Sequence, residues 1–348
     1  MIGINIGIDL GTTSVIAYID GKGIVLSEPS VAAYSTNNGN MIAVGERARR
    51  MIGREPPSIV TVRPLKDGII SNAYVTEQML RFFIKKICGN KILKPNVIVS
   101  VPAFVTALEK RTILDVITSC GVAKACIIEE PLAAAIGSGE AISIPSGVFV
   151  VDIGGGTTDS AIITMNCVSV SSSIKIAGNE MTKDIINYIR KEKKIIIGEI
   201  TAENIKKSIG SAIKRPEELA VFVKGKDYVT KMPVSFEITS TEIYEALKSN
   251  VDKICEDIKS VFEKTPPELV SDAGEKGIIL TGGGSLLYGM DKAIESATGV
   301  KVKVAKDPLN CVIRGIGKII ADEGFLFENG YFFKTKDDFI DYLEEDIQ

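Results

Sequence analysis

No histidine and no tryptophan occur among the 348 residues. Without an imidazole there is no Ser-His-Asp or Cys-His nucleophilic site, no histidine-ligated metal and no histidine general base. Acid–base chemistry therefore falls to carboxylates, lysine, tyrosine or polarised water. Cysteine is sparse: Cys88, Cys120, Cys126, Cys167, Cys255 and Cys311 show no C-x-x-C spacing and mostly sit in apolar runs. That suits reduced, buried thiols better than a metal site or a disulfide framework. Uncharged stretches are broken by Ser, Asn, Gly or Pro, so no membrane span is expected. The opening residues Met1-Ile2-Gly3-Ile4 lack the basic leader and cleavage site of a signal peptide, and a cytoplasmic location is expected. With 41 Lys+Arg against 44 Asp+Glu, the net charge of −3 argues against a nucleic-acid partner.

What is present supports packed domains. A 45% hydrophobic fraction with 24% charged residues can bury substantial cores, and the length suits two domains or one duplicated unit. Short β-rich runs at 4–10, 97–101 and 148–153 are bounded by Gly, Pro or Asn and predict strands. Over 76–88, Met79, Leu80, Phe83, Ile84 and Ile87 recur at three- and four-residue spacing and form one buried helical face. Segment 106–119 behaves in the same way and is stopped by Gly121, a helix C-terminal cap. Helices are also expected over 203–213, 241–262 and 289–298. The fold class is α/β with largely buried sheets.

One internal similarity organises the chain. Ile8-Asp9-Leu10-Gly11-Thr12-Thr13-Ser14-Val15-Ile16-Ala17 and Val151-Asp152-Ile153-Gly154-Gly155-Gly156-Thr157-Thr158-Asp159-Ser160-Ala161-Ile162 share an order of apolar strand, Asp, Gly-rich turn, Thr-Thr and apolar strand. Their aspartates are 143 residues apart. A repeat of that size implies two related halves, each offering a hairpin tip to a shared cleft. At such a tip, glycines let backbone N–H groups approach an anion and threonine hydroxyls add donors, which makes a phosphate cradle. An Asp beside phosphate needs a divalent cation between them, so Asp9 and Asp152 are candidates for a Mg²⁺ shell, held partly through water. Either segment alone is an ordinary Gly-rich turn; two copies at half-chain separation favour the cradle.

A third Gly-rich element, Gly277-Ile278-Ile279-Leu280-Thr281-Gly282-Gly283-Gly284-Ser285-Leu286-Leu287, predicts a buried strand, a tight turn and a helix start. It can admit an adenine ring or a phosphate against bare backbone, or serve only close strand-to-helix packing. Neither the P-loop pattern nor G-x-G-x-x-G occurs. Ile127-Ile128-Glu129-Glu130-Pro131-Leu132-Ala133-Ala134-Ala135-Ile136-Gly137 predicts a strand ending at two carboxylates, then a helix with Pro131 in its first turn. Helix-start electrostatics alone accommodates both glutamates. The functional alternative has one of them face the cleft and orient a water.

In order, these signatures resemble the actin, DnaK-type chaperone and sugar kinase superfamily, and in detail the MreB/Mbl family of bacterial actins. Supporting segments are Gly21-Lys22-Gly23-Ile24-Val25-Leu26-Ser27-Glu28-Pro29-Ser30-Val31, Arg63-Pro64-Leu65-Lys66-Asp67-Gly68 and Ala305-Lys306-Asp307-Pro308-Leu309-Asn310-Cys311-Val312-Ile313-Arg314-Gly315. The similarity runs over about 7–320. It implies a duplicated actin-like ATPase fold, with subdomain IA at 1–31, 63–140 and 314–324, IB at 32–62, IIA at 141–180 and 240–313, IIB at 181–239, and a C-terminal extension at 325–348. Carried over by position, Gly11, Thr12 and Thr13 become phosphate ligands and Asp9 and Asp152 the Mg²⁺ carboxylates. Gly154, Gly155, Gly156, Thr157 and Thr158 form the second phosphate loop, and Gly282, Gly283 and Gly284 the adenosine turn. Glu203 and Lys206 match positions near the ribose and adenine, or are a solvated helix pair. Glu130 matches the water-orienting position, with Thr157 beside the γ-phosphate.

The resemblance further implies slow hydrolysis of ATP, or of GTP, with Mg²⁺, coupled to self-association into filaments. It implies attachment to the anionic inner face of the cell membrane and contact with membrane morphogenesis proteins of the cell-wall elongation machinery that sets rod shape. The alternative is a non-polymerising actin-fold ATPase of chaperone or sugar kinase type, although a chaperone needs a substrate domain that the last 24 residues cannot supply. Three departures stand out. Gly178-Asn179-Glu180 replaces the family's frequent Gly-Asp pair, 216–236 is short for a fourth subdomain, and 325 onward has no recognised counterpart.

The family's membrane loop matches Gly89-Asn90-Lys91-Ile92-Leu93-Lys94-Pro95, where Ile92 and Leu93 either form an apolar wedge between lysines or simply begin the next strand. In the extension, Asn329-Gly330 between apolar arms predicts a β-hairpin over 325–333, and Thr335 with Asp338 predicts a capping box opening a short helix. Seven of the 21 aromatic residues lie there with seven acidic residues and two lysines, so the extension packs on the body or docks a partner, and the rest of the chain is net positive.

Overall fold

Ile- and Val-rich runs set the framework. The first, Asn5–Leu10, pairs antiparallel with Ser14–Ile19 and parallel with Asn96–Val101. Gly23–Pro29 and Lys124–Glu129 complete a five-stranded sheet in the order Lys124–Glu129, Asn96–Val101, Asn5–Leu10, Ser14–Ile19, Gly23–Pro29. The computed structural model describes residues 4–89, 94–335 and 338. A second five-stranded sheet runs Cys167–Ile174, Thr158–Thr164, Val148–Ile153, Ile278–Thr281, Val302–Val304. Its last three strands are parallel, like their counterparts in the first sheet. In both sheets the first strand of the half is central, with the next two strands on one side and two parallel strands on the other. The repeat seen in the residues is thus a repeat of topology.

The chain divides into two units, one of Met1–Ser146, Ile163–Ser169 and Asn310–Gln348, the other of Gly147–Ile162 and Val170–Leu309. The first contains a three-stranded sheet with Ala32–Ser35 between Met41–Val44 and Ile59–Val62; the second has one with Ala220–Asp227 between Ile195–Ile196 and Pro233–Thr239. Each unit has its own apolar core. Ile6, Val99, Met79, Phe83 and Ile117 are among the buried residues of the first, and Phe149, Val151, Ile185, Ile254 and Leu280 of the second. Each such side chain contributes roughly 1.5–3 kcal/mol by leaving water.

Capping explains the helix starts. The Asn72 side chain accepts from Val75 N–H and opens Ala73–Cys88, while Thr106 with Glu109 and Thr239 with Glu242 form capping boxes for Ala107–Ser119 and Ser240–Lys264. Gly121, at φ +85°, follows the second of these helices as expected. The helix expected at 203–213 instead spans Glu199–Ile209. It stops at Gly210 because Ala212 N–H bonds Tyr288 O at 2.8 Å and draws the chain sideways.

Glu130–Ser138 is held by an unusually close helix crossing within the first unit. A Cβ on Gly137 would overlap the Cys311 carbonyl, and one on Gly315 would overlap the Ala133 carbonyl, so this helix and Cys311–Ala321 touch backbone to backbone. All six cysteines are free: Cys120, Cys126, Cys255 and Cys311 are buried, Cys88 is half-buried and Cys167 is exposed. Burial pushes the Cys120 and Cys126 thiols up to about 12, which keeps them unreactive. Among the described residues no helix is long and apolar enough to cross a membrane.

The expected hairpin at 325–333 is a helix, Glu323–Glu328, whose N-cap Asp322 accepts from Phe325 N–H. Asn329-Gly330 ends it rather than turning a hairpin: Gly330 takes φ +78°, Tyr331 N–H bonds Leu326 O at 2.8 Å and Gly330 N–H bonds Phe327 O at 3.3 Å. This pair of bonds is a Schellman closure, and a local N-cap outweighed the Asn-Gly turn signal. The Thr335–Asp338 capping box forms, with Asp338 Oδ2 accepting from Thr335 N–H at 2.6 Å and Asp338 N–H donating to Thr335 Oγ1 at 3.3 Å. The helix expected beyond it lies outside the described residues.

Candidate functional site

The two Gly-rich hairpins close in the same way. In the first, Gly11 N–H donates to Ser14 O at 3.0 Å; in the second, Gly154 N–H donates to Thr157 O at 2.9 Å. The closures align Ser14 with Thr157, and Thr12-Thr13 with Gly155-Gly156, so the Thr-Thr pairs that match by letter are not equivalent in space. Glycine is required at the first closing position, where a Cβ on Gly11 would lie 2.9 Å from Ser14 O.

In the first unit, the tip is tied down from outside the hairpin. Ser30 N–H donates to Thr13 O at 3.0 Å and Ser30 Oγ to Gly11 O at 2.6 Å. Thr12 is buried and its hydroxyl accepts from Gly68 N–H at 2.8 Å, whereas Thr13 is exposed. Asp9 accepts from Ser100 Oγ at 3.1 Å, and burial pushes its carboxyl up to about 6 against that hydrogen bond. No cation pairs with it among the described residues. A half-buried carboxylate short of positive charge fits a hard cation bound through one or two carboxylates and water.

Glu130 lies at the same end of the first sheet. Ile8 pairs with Val99, and Glu129 pairs with Val101, so the Gly11 tip and Glu130 follow the C-terminal ends of parallel strands two strand-widths, about 10 Å, apart. Glu129 is committed: Lys110 Nζ reaches Oε1 at 3.3 Å and the Tyr331 hydroxyl donates to Oε2 at 2.7 Å. Glu130 is the first residue of its helix, followed by Pro131.

In the second unit, the hairpin tip is braced by backbone. Gly178 N–H donates to Gly154 O at 3.2 Å and Asn179 N–H to Gly155 O at 2.8 Å, both from the start of helix Gly178–Tyr188. These bonds use no side chain, so the change from Gly-Asp to Gly178-Asn179 leaves them intact. Thr158 is fully buried and gives its hydroxyl to Ile176 O at 2.7 Å, while Thr157 and Asp152 are buried at the tip. The Gly282–Gly284 turn packs directly on this strand end. Gly282 sits at φ +79°, a Cβ there would overlap Asp152 Oδ1, and a Cβ on Gly284 would overlap Ile153. After the turn comes a short 3₁₀ segment, Gly283–Leu286, before the helix Met290–Thr298.

Glu203 and Lys206 are not a solvated pair. Lys206 Nζ meets Glu203 Oε2 at 2.6 Å, Gly178 O at 2.6 Å and Thr182 Oγ1 at 2.9 Å, with the lysine side chain only 12% exposed. Thr182 Oγ1 also donates to Glu203 Oε2 at 2.7 Å. Burial pushes the Lys206 ammonium down despite Glu203; burial also works against the Glu203 charge, but Lys206, Thr182 and Lys207 outweigh it and hold that carboxyl low. Asp152, Gly154–Gly156, Thr157, Gly282–Gly284, Glu203 and Lys206 thus gather at one end of the second unit. Ser30 and Gly68 brace the first tip, Ser100 holds Asp9, and Thr182 ties Glu203 and Lys206 to Gly178; none of these four carries a signal of its own in the sequence. Ile92 and Leu93 lie outside the described residues. Among the described residues no group of three or more His, Cys, Asp or Glu side chains could hold a metal, which leaves single carboxylates.

Comparisons with known proteins identify the family. The MreB/Mbl protein family matches residues 3–325. The chain is 44% identical over 317 residues to the cell shape-determining protein Mbl of Bacillus subtilis (strain 168), covering 91% of this chain and 95% of that protein. It is 44% identical over 322 residues to the cell shape-determining protein MreB of Escherichia coli (strain K12), covering 91% and 93%. The crystal structure of MreB 5 of Spiroplasma citri bound to AMPPNP superposes with a TM-score of 0.90 at 38% identity, over 95% of this chain and 99% of that one. The fold is actin-like α/β, and the chain belongs to the MreB/Mbl family of cell shape-determining proteins.

Proposed function

We propose that the chain is a polymerising, nucleotide-dependent bacterial actin that acts in cell-shape determination and slowly hydrolyses ATP. The observation that carries this is the duplicated hairpin, closed in both units by the same Gly N–H bond, with backbone amides at each tip and an aspartate beside it, half-buried at Asp9 and buried at Asp152. That arrangement suits a triphosphate bound by backbone, and the Spiroplasma relative crystallised with the triphosphate analogue AMPPNP supports ATP as the nucleotide.

In this reading Thr12 and Thr13 and Gly155–Thr157 donate to phosphate oxygens while the Gly11 and Gly154 amides close the tips, Gly282–Gly284 lie against the adenosine, and Glu203 and Lys206 border the ribose. Asp9 and Asp152 hold Mg²⁺ through water; bound there, it neutralises charge on the transferring phosphoryl group. Glu130 orients the attacking water, and Thr157 donates beside the γ-phosphate. Loss of the γ-phosphate then relaxes the tips and weakens assembly. Filaments attach to anionic membrane through Ile92 and Leu93, where repetition along a filament turns a weak contact into a stable one.

The test is incubation with Mg²⁺-ATP on anionic liposomes, electron microscopy and a phosphate-release assay. Filaments with slow release are expected. Soluble monomers with peptide-stimulated turnover, or sugar-dependent ADP production, would replace this reading with a chaperone or a kinase. Changing Ile92 and Leu93 to Ser abolishes liposome pelleting and spares polymerisation; unchanged pelleting removes them from the membrane contact.

A further inference from the structure

The segment after Phe325 lies beyond the family match of 3–325, yet it is fastened to the body of the first unit. Ala125 N–H donates to Lys334 O at 2.9 Å and Lys334 N–H to Ala125 O at 2.8 Å, an antiparallel rung on the edge strand Lys124–Glu129. Leu326, Tyr331 and Phe333 line a small apolar cavity with Ile98 and Ile320. From that anchorage the Tyr331 hydroxyl reaches Glu129 Oε2 at 2.7 Å, while Lys110 holds Oε1 at 3.3 Å. Burial and the Glu129 charge both push the Tyr331 phenol upward, so it stays a donor.

Glu129 immediately precedes Glu130, and at φ −73° and ψ 134° it passes the chain from strand into helix. Freed of one partner, its carboxylate would rotate about its own side chain and present a second negative charge near Glu130 and any bound phosphate. We propose that Tyr331 is a positioning residue for hydrolysis: by holding the Glu129 carboxylate it fixes the strand-to-helix junction that aims Glu130. This rests on the reading of Glu130 as the residue that orients water. It makes the C-terminal extension part of the hydrolytic apparatus of this chain.

The experiment uses the full chain with Tyr331→Phe, which keeps the ring and its packing, Glu129→Ala, and the double variant. Single-turnover phosphate release, ATP dissociation constant and melting temperature are measured together. Tyr331→Phe should slow release roughly three- to tenfold, the scale of one ordinary hydrogen bond, because Lys110 still holds the other Glu129 oxygen, with nucleotide affinity unchanged. In the Glu129→Ala background it should add nothing. Release equal to wild type overturns the proposal. Equal slowing in the Glu129→Ala background overturns it too, because the tyrosine then acts by packing alone. If wild type binds ATP and releases no phosphate, the ATPase reading fails and the proposal falls with it, an outcome distinct from the other two.

Discussion

The two Gly-rich hairpins share a backbone and differ in how that backbone is held. The first carries hydroxyl residues at the tip and is braced by a side chain, Ser30, and by the Gly68 amide on Thr12. The second carries bare glycine and is braced by the N-terminal amides of a helix and by the Gly282–Gly284 turn packed on Asp152. What the halves retain is the closing N–H bond and the aspartate two residues before it; the letters around them have been exchanged. A phosphate cradle is a property of amide directions, so side chains at the tip are replaceable where glycine at the closure is not.

The difference can be broken from the second unit first. Gly282→Val should be the most damaging change, because φ +79° is unfavourable for a branched residue and its Cβ overlaps Asp152. A loss of about 3 kcal/mol or more in urea unfolding, with nucleotide binding abolished, is expected; near-wild-type stability would show the turn does not pack on Asp152. Lys206→Ala comes next. It leaves the Glu203 carboxylate with Thr182 and Lys207 alone and removes the lysine bonds to Gly178 and Thr182, so about 2 kcal/mol should be lost together with nucleotide affinity.

Matched glycine substitutions sharpen the comparison directly. Gly11→Ala should cost more than Gly154→Ala, since the new Cβ would lie 2.9 Å from Ser14 O in the first hairpin and 3.2 Å from Thr157 O in the second. Equal costs in paired unfolding curves would show the closures are equally tolerant. The smallest effect belongs to Ser30→Ala, about 1 kcal/mol for a single hydroxyl bond, with phosphate affinity reduced and the second hairpin untouched. A pH series separates the braces further. The Glu203 carboxyl is held below its ordinary 4.5, so the stability it contributes is present above that value and is lost as pH falls through its lower folded pKa. Glu203→Gln should flatten that acid limb.

Much of this was legible in the residues. Alternating strands, the paired Asp-Gly hairpins, the Glu-Glu-Pro helix start and the capping residues are local signals, and each formed the element its chemistry favours. What escaped the sequence depends on partners far along the chain. Nothing in Glu129-Glu130 says that the Glu129 carboxylate is held by Tyr331, which arrives from 202 residues away. Glu203 and Lys206 have the spacing of a surface pair and are sealed only by Gly178 and Thr182 from another helix. The Thr-Thr pairs aligned by letter mislead because a turn is defined by its closing bond. Asn329-Gly330 favours a hairpin on its own, but Asp322 upstream nucleates a helix that the glycine then ends.

The central claim is that one carboxylate, Glu130, orients water at a triphosphate bound by duplicated backbone tips. Single-turnover phosphate release and ATP binding by Glu130→Ala, measured beside wild type with Mg²⁺, test it most directly. Unchanged binding with release reduced at least a hundredfold is the predicted result. Undiminished release would contradict it and remove Glu130 from the mechanism.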